Sequence, residues 1–144
     1  MTVRFFSPEW AELARDAVDR GPDDALRASK LETYWDWIDN VRTDYSDSWA
    51  LGVRDLDGEP AYLWLVWEAG KCVRAEVSQT LPDATYVLAG DLDVWQDLLS
   101  GEDTGRIVMY RRLLLEKGDV LRFFRGIYFF VESVAAIGRI AAAV

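Results

Sequence analysis

Two Gly-Asp corners, Gly90-Asp91 and Gly118-Asp119, constrain this chain more than any other feature. Each stands where a strand-like apolar run passes into a helix-like one: Val87-Leu88-Ala89 before the first, Leu113-Leu114-Leu115 before the second. A glycine tolerates the turn, and the acid that follows suits a helix N-cap. The helix predicted after the second corner is apolar on almost every side, through Val120, Leu121, Phe123, Phe124, Ile127, Tyr128, Phe129, Phe130 and Val131. A surface helix needs only one apolar stripe for packing. The surplus points to a hydrophobic cavity and to binding as the function.

The chain upstream supplies the other elements. Ser7-Pro8-Glu9 is a helix start, with Trp10, Leu13, Ala14, Ala17 and Val18 at helical spacing and Gly21-Pro22 as the stop. From Asp23 to about Asp44, the apolar residues Leu31, Tyr34, Trp35, Ile38, Val41 and Tyr45 again follow a helical stripe, and Trp37 lies off it. A strand through Tyr34–Ile38 is the competing reading, because aromatic residues favour strands. Trp49 to Arg54 reads as a strand, Asp57-Gly58 as a tight hairpin, and 61–68 and 71–78 as two further strands joined at Ala69-Gly70. The strand at 61–68 is bulky on both faces, which predicts a central position. A fourth strand covers 85–89, a helix 92–99, a short helical turn 105–110, a fifth strand 112–117, and one last helix runs from Asp119 to about Ala142. Clustered hairpins with helices at the ends give an α+β class, with a mostly antiparallel five-stranded sheet in one domain, 1–144.

Composition excludes several functions. With 16 basic against 25 acidic side chains the net charge is −9, so nucleic acid is a poor partner and an anionic membrane surface is disfavoured. The chain has no His, which removes Ser-His-Asp and Cys-His nucleophilic systems and His-ligated zinc. No metal or cofactor is expected. One Cys allows no internal disulfide, and the opening Met-Thr-Val-Arg-Phe-Phe carries no apolar leader core, so a cytoplasmic location is expected. A membrane span needs about 20 mostly apolar residues. Arg122, Arg125, Glu132 and Arg139 interrupt the C-terminal run, so stable membrane insertion is not expected.

Several segments together resemble sterol carrier protein 2-like domains in their small stand-alone bacterial form. They are Phe5-Phe6-Ser7-Pro8-Glu9-Trp10, Gly70-Lys71-Cys72 with Ala75, Tyr86-Val87-Leu88-Ala89-Gly90 followed by Val94-Trp95, and Leu113-Leu114-Leu115-Glu116-Lys117-Gly118-Asp119. The resemblance covers most of the chain and departs from the pattern at residues 22–48, which are longer and more aromatic here. It implies a five-stranded sheet with N-terminal helices and a long C-terminal helix enclosing a lipid tunnel. It also implies non-catalytic carriage of a fatty acid, acyl-CoA, sterol or similar hydrophobic molecule.

On that reading the candidate ligand-binding residues are Trp35, Trp67, Met109, Phe123, Phe124, Ile127, Tyr128, Phe130 and Val131. Arg111, Arg112, Arg122 and Arg125 form the densest basic cluster, and Arg122 and Arg125 share a helix face. Those two are the head-group candidates, because Arg grips carboxylates and phosphates bidentately. Two alternatives stay open. One is a small cyclase or isomerase of polyketide- or terpenoid-like molecules, with Glu132 or Tyr128 as the acid-base group; it needs a carboxylate in the cavity without a cationic partner. The other is a structural or interaction protein that dimerises through an exposed aromatic sheet face, since Trp64 and Trp67 point to opposite sides.

Overall fold

The computed structural model describes residues 2–110 and 112–143. Arg111 of the basic cluster lies outside the described residues. The first helix, α1 (Pro8–Arg20), starts where the sequence signals it: the Ser7 hydroxyl accepts a hydrogen bond from the Trp10 N–H at 3.2 Å, and Gly21 ends it at φ 75°. Phe5 and Phe6 precede the cap and pack on Trp10, with ring centroids 5.1 and 4.6 Å away.

Residues 23–44 form two helices instead of one. These are α2 (Asp24–Ala28), capped by the Asp23 carboxylate, and α3 (Glu32–Arg42). Ser29-Lys30-Leu31 separates them, and the Ser29 hydroxyl donates to the Leu26 carbonyl and closes the first. On α3, Trp35 and Ile38 are buried and Trp37 faces solvent, as the stripe predicts.

The sheet holds five strands: β2 (Ser48–Leu56), β3 (Glu59–Glu68), β4 (Lys71–Ser78), β5 (Tyr86–Gly90) and β6 (Leu114–Lys117); β1 is a separate two-residue strand, Val3–Arg4. The spatial order is β4-β3-β2-β5-β6. The β2–β3, β3–β4 and β5–β6 pairs are antiparallel and β2–β5 is parallel. The β2–β3 turn is Asp57-Gly58 at φ 55° and 85°, the left-handed pair that matches strand twist.

The central strand is therefore β2, and β3 lies one place from the edge. On β3 the inner residues Leu63, Leu65 and Trp67 are fully buried, while Tyr62, Trp64 and Val66 are only half-buried. Among the described residues no helix covers that outer side. The 79–85 segment crosses it on the way from β4 to β5 and puts Ala84 against Ala50, Val87 and Trp64. Arg74 stacks over Trp64 at 4.8 Å. Trp64 is thus covered from two directions, so it does not form the bare aromatic face on which the dimer alternative depends.

Helices α4 (Leu92–Leu99) and α5 (Thr104–Met109) follow β5. Trp95 lies on the sheet, its Nε1 donating to the Gly52 carbonyl at 2.9 Å. The predicted long C-terminal helix is two helices, α6 (Val120–Arg125) and α7 (Ile127–Gly138). The break falls at Gly126 (φ −103°, ψ 18°), the weakest helix former in the run. Asp119 caps α6, its side chain accepting from the Arg122 N–H at 3.1 Å. Finally β7 (Ala142–Ala143) pairs in parallel with β1, Val3 opposite Ala142. Helices α1, α3, α4 and α7 pack on the inner face of the sheet in one aromatic-rich core.

Candidate functional site

The inner side of α7 is buried against the sheet and the neighbouring helices. Phe129, Phe130, Ser133, Val134 and Ile137 are buried. The Phe130 ring lies 4.8 Å from Trp49 and 5.0 Å from Phe123, and Phe129 lies 4.9 Å from Trp67. These rings fill most of the space between helix and sheet. Ser133, the polar residue on this side of the helix, donates its hydroxyl to the Phe129 carbonyl at 2.8 Å and so is satisfied within α7 itself.

The cavity lies on the other side of the helix. A cleft of about 990 Å³ runs along the outer surface of α6 and α7. One wall is Phe124, Ile127, Tyr128, Val131 and Ala135. The opposite walls are Leu98 and Leu99 from α4, Met109 from α5, and Lys30 and Tyr34 from the α2–α3 region. Gly138 lets the far end close: a Cβ there would lie 2.9 Å from the Leu98 carbonyl oxygen, so α7 approaches α4 this closely only with glycine at that position. Thr2, Ala141 and Ala142, beside the β1–β7 pair, complete that end. The space is an open cleft, where the sequence predicts an enclosed one. The aromatic side chains explain the difference, since they occupy the interior and leave the outer stripe of the helix unfilled.

Of the predicted binding residues, Met109, Phe124, Ile127, Tyr128 and Val131 line this cleft. Phe123 and Phe130 turn toward the sheet and border a smaller hollow of about 250 Å³. Trp35 sits in a separate 330 Å³ hollow between α1, α3 and α7. Trp67 is buried in the core, with the Arg42 guanidinium stacked 5.4 Å above its ring. The head-group candidates Arg122 and Arg125 also flank the smaller hollow and not the large cleft. Arg122 is committed to Asp47, with both carboxylate oxygens within 3.0 Å and the Asp47 side chain only 7% exposed.

Sequence reasoning missed the polar partners in the cleft. Glu132 Oε2 accepts from Lys30 Nζ at 2.7 Å and from the Tyr34 hydroxyl at 2.6 Å. Lys30 Nζ also lies 4.7 Å over the Tyr34 ring, and Tyr34 packs on Tyr128 at 5.0 Å. Burial first, then the hydrogen bond and charge of Glu132, push the Tyr34 hydroxyl far above the ordinary phenol range. It therefore stays protonated and donates. Glu132 thus pairs with Lys30, which removes it as the unpaired acid of the isomerase alternative, while Tyr128 lines the cleft together with Glu102 and Asp103. The signal that could have found this cluster is weak: Lys30 is one of three lysines in the chain, over a hundred positions from its partner.

The remaining chemistry is sparse. Cys72 is buried, and burial pushes its thiol up to about 11, which makes it an inert core residue. Among the described residues no group of His, Cys, Asp or Glu side chains could hold a metal ion, and no helix is long and apolar enough to cross a membrane.

This arrangement, a five-stranded mixed sheet with helices on one face, is the fold of sterol carrier protein 2. A crystal structure of sterol carrier protein 2 matches 96% of this chain and all of its own at a TM-score of 0.74, with 21% identity. A conserved hypothetical protein from Thermus thermophilus, described as possibly a sterol carrier protein, matches over 98% of this chain and 92% of its own. Its TM-score is 0.71 and its identity again 21%. No family model and no curated protein sequence matches the chain. The likeness to these structures is one of backbone fold at 21% identity.

Proposed function

We propose that this chain is a non-catalytic binding unit for a hydrophobic small molecule of the lipid class, held along the outer side of α6 and α7. The observation that carries the reading is the 990 Å³ cleft with Phe124, Ile127, Val131, Leu98 and Met109 on its walls. Ligand sites typically span about 300–1,000 Å³ and join apolar walls to a few polar groups. Here Lys30 and Tyr34, beside Glu132, are the polar handle for a head group, in place of Arg122 and Arg125. The sterol carrier protein 2 fold supports the reading by analogy of architecture. The single reduced thiol fits a reducing compartment such as the cytoplasm.

Titration of the purified chain with a fluorescent fatty acid and with a fluorescent sterol tests this. Saturable one-to-one binding of either probe is expected. Val131→Glu, which puts a charge on the apolar wall, is expected to weaken that binding at least tenfold with the fold retained, as read by circular dichroism. Binding of neither probe, or equal binding by the variant, overturns the reading.

A further inference from the structure

The smaller hollow lies on the other side of α6 from the cleft. Along α6 and the start of α7, Phe124 and Ile127 line the cleft, while Phe123 and Phe130 line the hollow. The hollow holds about 250 Å³ between the end of α3, the 43–47 loop, the first residues of β2 and β5, and α6. Its floor is aromatic. Trp49, Tyr86, Phe123 and Phe130 all line it and all are buried, Tyr86 with only 3% exposed. The Tyr86 ring lies 5.7 Å from Phe123, and Trp49 lies 4.8 Å from Phe130.

Two phenols at this hollow have protons to give. Among the described residues, tyrosine hydroxyls hydrogen-bond at Tyr34 and Tyr45 and not at Tyr86. The Tyr45 hydroxyl accepts from Trp49 Nε1 at 2.8 Å, which leaves its own proton free. Burial above all pushes both phenols above their ordinary range, so both stay protonated. The charges of Arg122 and Asp47, which line the hollow, act on both hydroxyls, and Tyr86 acts on Tyr45. The two hydroxyls therefore converge on the same space. A buried donor without an acceptor is costly, so its position is informative.

The lining selects against a charged ligand. It carries Arg122 and Arg125 against Asp44 and Asp47, and Asp119 stands close enough for its charge to act on Tyr86. Arg122 and Asp47 are already committed to each other. An anion thus meets at least as many acids as arginines, and a cation meets hydroxyl protons. Size narrows the ligand further. An apolar cavity of about 150 Å³ takes up benzene. The hollow exceeds that by enough for one ring with a short substituent. Aromatic walls also suit a further ring, held edge-to-face or offset.

From this we infer that the hollow binds an uncharged single-ring aromatic molecule bearing a ketone or aldehyde, its carbonyl oxygen accepting from the Tyr45 and Tyr86 hydroxyls. The ring lies on the floor of Trp49, Phe123 and Phe130, and the oxygen supplies the acceptor that both phenols lack. Apolar walls with a few convergent donors are the usual composition of a small-molecule site. The hollow shares no lining residue with the cleft. It therefore stands or falls apart from whatever the cleft holds.

Titration of the full chain with acetophenone, followed through backbone amide shifts in proton–nitrogen correlation spectra, tests the proposal. Ethylbenzene has nearly the same shape without the oxygen, and benzoate carries a charge. Saturable shifts at residues 40–47 and 122–126 are expected with acetophenone. Ethylbenzene and benzoate are each expected to bind at least tenfold more weakly, the first for want of an acceptor and the second for its desolvation. Tyr86→Phe keeps the ring and is expected to weaken acetophenone binding about fivefold, the worth of one hydrogen bond. The hydroxyl it removes has no partner, so its unfolding midpoint is expected to match or exceed that of the parent chain. No saturable shift at 40–47, equal binding of ethylbenzene or benzoate, or full affinity in Tyr86→Phe overturns the proposal. So do shifts confined to 98–105, which put the probe in the cleft instead. The ethylbenzene comparison uses the parent chain, so it decides the matter even if the variant fails to fold.

Discussion

The two sides of the C-terminal helix pair are equally apolar in sequence and opposite in structure. Inward, Phe129, Phe130, Val134 and Ile137 are buried, and the two rings interlock with Trp49 and Trp67. Outward, Phe124, Ile127, Tyr128 and Val131 are left part-exposed along an open cleft. Hydrophobicity alone does not separate a wall from a core. What separates them is whether a second apolar layer has the volume to meet the first. The sheet meets the inner side with two tryptophans, whereas the short α4–α5 segment cannot span the outer one.

Substitutions on the two sides test this difference directly. The largest effect is expected for Phe130→Ala, which removes a ring enclosed by Trp49 and Phe123. It should cost about 3–5 kcal/mol in a denaturant titration. A loss below about 1 kcal/mol would mean the inner side is as loose as the outer.

Next comes Gly138→Ala, where the new methyl group meets the Leu98 carbonyl. Pushing α7 off α4 should cost about 1–3 kcal/mol and also change probe affinity, because that contact closes the end of the cleft. Stability lost with affinity intact would separate the cleft from the packing beneath it.

Glu132→Gln removes the charge shared by Lys30 and Tyr34. With Lys30 half-exposed, the expected cost is about 1 kcal/mol of stability, and the difference from the parent chain should shrink at high salt. The smallest stability effect, within about 0.5 kcal/mol, is expected for Phe124→Ala on the outer side. Probe binding should nonetheless fall several-fold. A reversal of these last two rankings would erase the distinction between core and wall.

Elements that depend on neighbouring residues were legible in the sequence. Ser7 caps α1, Asp57-Gly58 turns the hairpin and Asp119 starts α6, each through contacts within three or four positions. The Gly118 corner was legible for the same reason. Its φ of 125° suits glycine, and a Cβ would strike the Tyr86 ring. Gly90 is different, for its backbone is ordinary and Asp91 turns to Arg54 instead of capping α4.

Features set by distant partners were not legible. The parallel β2–β5 pairing makes β2 central, and nothing local to either strand encodes it. The bulk on both faces of β3 misled for a related reason: its outer side is covered by a loop and by Arg74. Gly126 was hidden inside an apolar run, although glycine is the one residue there that tolerates a break. The position of the cleft depended on how four aromatic rings pack, which periodicity does not report. The Lys30–Glu132 pair joins segments that no spacing rule connects.

The pairing of Val3 with Ala142 has a consequence for how the molecule assembles. The two strands are separated by almost the whole fold, so this clasp cannot form on the ribosome until the chain through Ala142 has emerged. Hairpins β2–β3 and β3–β4 face no such delay. Folding is therefore expected to begin at these hairpins, with the β1–β7 clasp closing last. The far wall of the cleft, built beside that clasp, would be among the final parts to take shape.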